Sequence, residues 1–201
     1  MNRSEKSKNN EFRNLLIQTR RHEKKKKELV DIKWILTIVV ISFLLSVGLS
    51  FISEVTIKKA TLIVSILITL LFIFLGILFD IIGVAVTASD EAIFHSMSSR
   101  KVKGAKVAVK FKKNADKVSS FCCDVVGDIC GVISGASGIT IALLLVENFS
   151  INPLVSTLVV TGIISSLTIG GKALGKSLAI NKSNIILYEF SKVVFLFYKC
   201  K

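Results

Sequence analysis

The chain has 201 residues, 51% of them hydrophobic, with a mean hydropathy of +0.64 and a formal net charge of +13. That is too apolar for an ordinary soluble domain and too short for more than one membrane domain. A soluble protein with buried core strands would also be apolar, but such strands run about 4–8 residues, and residues 34–53 pass without a single charge.

Residues 1–32 are polar and basic and read as a cytoplasmic tail. The run RRHEKKKK at 20–27 either anchors the tail to anionic lipid headgroups, at about 1 kcal/mol per basic residue near the surface, or serves only as a topology signal. The first apolar stretch, 34–53, has no small-residue cleavage site after it and is expected to act as a signal anchor. A short turn holding Lys58 and Lys59 leads to a second stretch, 61–86, in which Asp80 is the one charge. The polar segment TASDEAIFHSMSSR follows, and then residues 101–117. There Val102, Ala105, Ala108 and Val109 fall on one helical face and Lys103, Lys106, Lys110 and Lys113 on another. That pattern predicts an amphipathic helix in the plane of the inner leaflet.

A third stretch, 118–146, carries Asp124 and Asp128 near its start. Gly127, Gly131 and Gly135 form a stripe on it, with Gly138 beyond, and small residues at that spacing let another helix approach. After a turn at 147–153, the fourth stretch, 154–169, is rich in Ser, Thr and Gly. Residues 177–201 mix apolar positions with Lys182, Glu189, Lys192 and Lys199. Ile185, Ile186, Phe190, Val193, Val194 and Phe197 form a broad stripe, with Tyr188 and Tyr198 as interface anchors, so a second in-plane helix is expected. A bilayer core needs about 20 apolar residues as helix. The expectation is therefore an all-α polytopic membrane protein with four transmembrane helices and two in-plane helices, residues 33–201 forming the transmembrane domain.

The basic residues are distributed unevenly. Of 27, 11 fall in residues 1–33, 8 in 87–120 and 6 in 172–201; only Lys58 and Lys59 lie on the other side of four crossings. The positive-inside rule places both termini and the middle loop in the cytoplasm, at the cell membrane. A nucleic-acid binder would interleave basic residues with aromatics on a folded face; here they cluster beside the apolar stretches, so no nucleic-acid partner is expected. Cys122, Cys123, Cys130 and Cys200 lack zinc spacing and read as packing residues. The segment Gly170-Gly171-Lys172-Ala173-Leu174-Gly175-Lys176-Ser177 matches the phosphate-binding loop pattern, but the residues after it leave no room for a nucleotide domain. Asn148-Phe149-Ser150 matches a glycosylation sequon by chance. No nucleophile is paired with a base, so no enzymatic activity is expected.

The carboxylates are the remaining chemistry. Asp80, Thr87 and Glu91 fall near one face of the second helix, with Asp90 a turn past Thr87; Asp124 and Asp128 share a face of the third. Magnesium takes oxygen ligands, commonly one or two carboxylates with hydroxyls and water. Two acid-bearing helices packed through glycine could form such a site, with Asp128, Asp124, Asp90 and Thr87 as the candidate metal ligands and Asp80 deeper on the path. The alternative is structural: Asp90, Asp124 and Asp128 at the inner interface, paired with Lys101, Lys117 or Lys172.

The ordered set TASDEAIFHSMSSRKVKGAK, CDVVGDICGVISG and TIGGKALGKSLAI resembles the membrane domain of CorB/CorC-type and cyclin M-type magnesium transport proteins, over about residues 78–194. The resemblance implies three spans, an in-plane belt helix, a homodimer, and a magnesium ion, transported or bound, between helices. It sets Thr87 at the Ser and Asp90 at the acid of the first motif, Gly127-Asp128 at the Gly-Asn, and Lys176-Ser177 at the closing Lys-Ser. Gly175 stands where the family has Pro, and Lys172 where it has Glu. The paired cytoplasmic regulatory modules have no counterpart in this sequence. Two functions follow: divalent-cation transport, or a non-transporting membrane scaffold or regulator that kept the fold and lost the ion site.

Overall fold

The computed structural model describes residues 32–58, 61–150 and 152–199, and is helical without strands among them. The basic tail, Lys59 and Cys200 lie outside the described residues, as do the side chains of Phe197 and Tyr198. The long helices are α1 (Ile32–Lys58), α2 (Leu62–Ala88), α6 (Asp128–Phe149) and α7 (Pro153–Asn181). Short helices α3 (Glu91–Ser99), α4 (Ala105–Lys113) and α5 (Ala115–Ser120) join α2 to α6, and α8 (Ser183–Lys199) follows α7. Between α5 and α6 the helix widens to a π-helical segment, Phe121–Gly127. Among the described residues, four helices are long and apolar enough to cross a membrane: Ile32–Thr56, Leu62–Ala88, the continuous Ala115–Phe149, and Pro153–Asn181. The fourth therefore runs well beyond the stretch ending at residue 169, because the glycines at 170 and 171 stay helical.

Local chemistry sets the ends. Asn152 caps α7, its Oδ1 accepting from the Leu154 N–H at 3.0 Å, with Pro153 in the first turn where a missing N–H costs nothing. Ser150, in the left-handed region with φ 53°, ends α6. Inside the spans, hydroxyls bond back one turn, as Thr69 Oγ1 does to the Ser65 carbonyl at 2.9 Å and Thr168 Oγ1 to the Ile164 carbonyl at 2.8 Å. Polar atoms are thus satisfied where no water is at hand.

The chain divides into a unit through Val39 and a second, Val40–Lys201, which holds the bundle. Helices α2, α6 and α7 pack on one another through small residues. A Cβ on Gly83 would strike the Cys123 sulfur and crowd Cys122 and the Ser119 carbonyl; one on Gly76 would lie 3.1 Å from Cys130 Cβ. On α7, Gly171 sits under Ile77 and Gly175 under Ile81; on α6, Gly138 sits under Ile164. With lipid as solvent, backbones this close gain contact that bulkier residues would forbid. Gly131 and Gly135, expected to meet another helix, face open space instead: a Cβ on either would meet no other helix within 4 Å among the described residues. The close approaches are instead made by glycines dispersed over α2, α6 and α7.

At one end of the bundle, Val86, Phe94, Ala108 and Leu187 are fully buried together. Helices form at both expected in-plane segments, as α4 and α8, but α4 packs on α3, α8 packs on α2, and the two pack on each other, with Phe111 and Phe190 stacked at 5.5 Å. Ala105 and Ala108 are buried while Lys103, Lys106, Lys110 and Lys113 are exposed, so the two faces of α4 read from the sequence are present. Helix α8 differs from its expected stripe. It turns Ser183, Leu187 and Ser191 inward and leaves Ile185 and Val193 exposed, and Tyr188 packs on the buried cluster. Its many apolar positions allow more than one inward face.

Candidate functional site: a lysine between two aspartates

Helix α2 brings Asp80 to the crossing with the π-helical segment and α7. Gly127 allows this: a Cβ there would lie 2.8 Å from Asp80 Oδ1. Asp128 follows directly at the start of α6, and Lys172 reaches across from α7. The Lys172 ammonium donates to Asp128 Oδ1 at 3.2 Å and lies 3.4 Å from Asp80 Oδ2. The side chains of Asp80 and Lys172 are 21% and 25% exposed and that of Asp128 is 68% exposed, so the triad spans the edge of the bundle. A cleft of about 270 Å³ opens beside it, lined by Asp80, Val84, Cys123, Lys172, Ala173 and Lys176. The Cys123 thiol donates to the Asp80 carbonyl at 3.7 Å and lies 3.9 Å from Ser119 Oγ. A carboxylate and an ammonium inside spanning helices are costly unless paired. Here each supplies the other's partner.

Two of the five candidate ligands, Asp80 and Asp128, converge. Asp124 is exposed and stands outside the Lys172 ion pairs. Thr87 lies two turns further along α2, about 10 Å by helical rise, and its Oγ1 donates to the Val84 carbonyl at 2.8 Å. Asp90 caps α3, accepting from the Ala92 N–H at 3.0 Å, while its own N–H donates to Asn184 Oδ1 at 2.9 Å. Thr87 and Asp90 are thus engaged in shaping the chain between α2 and α3. Among the described residues no group of three or more His, Cys, Asp or Glu could hold a metal. The two converging carboxylates would suit a hard cation, but the ammonium stands between them, so the residues as arranged do not fit magnesium.

Sequence reasoning named Lys172 as a possible counter-ion to Asp128 but missed its second partner, Asp80. It also missed Lys112, whose ammonium donates to the Val86 and Thr87 carbonyls at 3.2 and 2.8 Å and so caps α2. The paired glycines Gly83 and Gly127 were the signal available for a close crossing at Asp80. The phosphate-loop pattern at 170–177 lies wholly within α7, so its N–H groups serve the helix and cannot cradle a phosphate.

The fold and this charged crossing define a polytopic helical membrane protein. No family model, no curated protein and no solved structure matches the chain.

Proposed function

We propose that this chain is a non-transporting membrane scaffold or regulator with an architecture of the CorB/CorC kind, in which a tethered ammonium takes the place of a divalent cation. The observation that supports this is the position of Lys172, within 3.4 Å of both carboxylates. A dication entering that point would meet a positive charge at hydrogen-bond range. The basic residues favour the cell membrane, with both termini and α4 on the cytoplasmic side.

Transport of a divalent cation is the second reading. It is supported by the convergence of Asp80 and Asp128 on one point beside an open cleft. It requires the Lys172 side chain to swing away. Thermal unfolding of the full chain in detergent, with and without millimolar magnesium, separates the two. A ligand at about 100 times its Kd stabilises by about 2.7 kcal/mol, a visible rise in Tm. The scaffold reading expects no rise in the wild type and no magnesium flux in proteoliposomes. A rise in Tm that is lost in Asp128→Asn, together with flux, would replace it with transport.

A further inference from the structure

Helix α4 carries Lys106, Lys110 and Lys113 on one exposed face, at helical spacing, with Lys103 and Lys101 just before it. No acid lies on α4, and none of these three lysines forms an ion pair among the described residues. The opposite face is consumed by the protein: Ala105 and Ala108 are fully buried, and Phe111 stacks on Phe190 of α8. The helix therefore has no apolar face left to insert among acyl chains. Its level is fixed in two ways. Lys112 holds it to the last carbonyls of α2, and α5 leads from it into the third span. A row of lysines on a packed helix is thus held at the ends of two helices long and apolar enough to span a membrane.

We infer that the Lys106–Lys110–Lys113 face is a docking surface for the anionic phospholipid headgroups of the leaflet into which α2 emerges. The phosphodiester is the anion within reach at that level. Flexible ammonium groups suit it, because each acts as a point charge and demands no fixed geometry. Three ammonium groups in a row, on a helix that carries no acid of its own, favour several anionic headgroups over zwitterionic ones. The folded cap holds the cations in place beforehand, so little ordering is lost on binding.

Native mass spectrometry of the detergent-solubilised full chain, titrated with phosphatidylglycerol or phosphatidylcholine, reads this directly. The wild type should retain phosphatidylglycerol in preference. The triple variant Lys106→Gln/Lys110→Gln/Lys113→Gln should lose roughly a hundredfold in apparent affinity, about fivefold per lysine, while the corresponding Lys→Arg triple keeps the preference. The altered side chains are exposed, so helicity by circular dichroism should be unchanged. The inference fails if the Gln triple retains phosphatidylglycerol as the wild type does. It fails equally if the preference disappears only when Lys24, Lys25 and Lys26 of the tail are neutralised. Displacement of the lipid by a single-stranded oligonucleotide at equal phosphate concentration would assign the face to nucleic acid and overturn it too.

Discussion

Lys172 is the residue on which the charged crossing depends. Replacing it by Met leaves Asp80, four-fifths buried, without its cation. Breaking a buried pair from one side costs about 3–5 kcal/mol; with water reaching the triad through Asp128, the expected loss for Lys172→Met is about 2 kcal/mol. Asp128→Asn should cost about 0.5 kcal/mol or less, because an exposed pair contributes little. Thermal unfolding in one detergent checks the order, and equal losses for the two variants would contradict this division. The lysine could be suspected from the sequence, as one of three basic residues, with Lys101 and Lys117, that could pair with the acids at the inner interface. The second partner could not, because Asp80 was placed on the Thr87 face of α2, and no pattern in the sequence announces a π-helical segment opposite it.

The contrast among helices lies in their glycines. Gly83 faces a sulfur, a Cβ and a carbonyl, so Gly83→Ala should destabilise by about 1–3 kcal/mol through overpacking. A Cβ on Gly131 would meet open space among the described residues. Gly131→Ala should therefore leave the monomer as stable or firmer by about 0.5–1 kcal/mol, the helix-propensity gain. The dimer expected from the family resemblance would use the free stripe of Gly131 and Gly135. In that case Gly131→Leu should halve the mass measured by light scattering in detergent while leaving helicity intact. An unchanged mass would mean that the stripe faces lipid. Spacing by four identified the stripe as small, but spacing does not say which neighbour a stripe meets. That depends on how α2 and α7 cross α6, and their own glycines at 83, 171 and 175 set it.

For the molecule as a whole, the apolar runs and their lengths were legible in the sequence, as was the division into long crossing helices and short helices at one end. What composition could not supply was the cap. Residues 101–117 and 177–201 each read as lying alone on a membrane, yet α4 and α8 share a buried core around Phe94. Amphipathicity reports that a helix has an apolar face and is silent on whether lipid or protein covers it. The topology remains a proposal with a direct check. Ser150→Cys should react with a membrane-impermeant maleimide on intact cells and Lys106→Cys should not, in a Cys123→Ser/Cys200→Ser background; Cys122 and Cys130 are buried. Labelling at position 106 from outside would invert the chain.

The order of synthesis also fixes when the ion triad can form. Asp80 leaves the ribosome 92 residues before Lys172. At about 5–20 residues per second that is an interval of roughly 5–18 s. During it, α2 enters the bilayer with an unpaired acid, a burden of roughly 2.5–3.5 kcal/mol for a position at the helix centre. The helix that carries Asp80 is also the most apolar of the four, which offsets that burden. Its leucines, isoleucines and phenylalanines let it enter alone, and the lysine arrives later to a partner already in place.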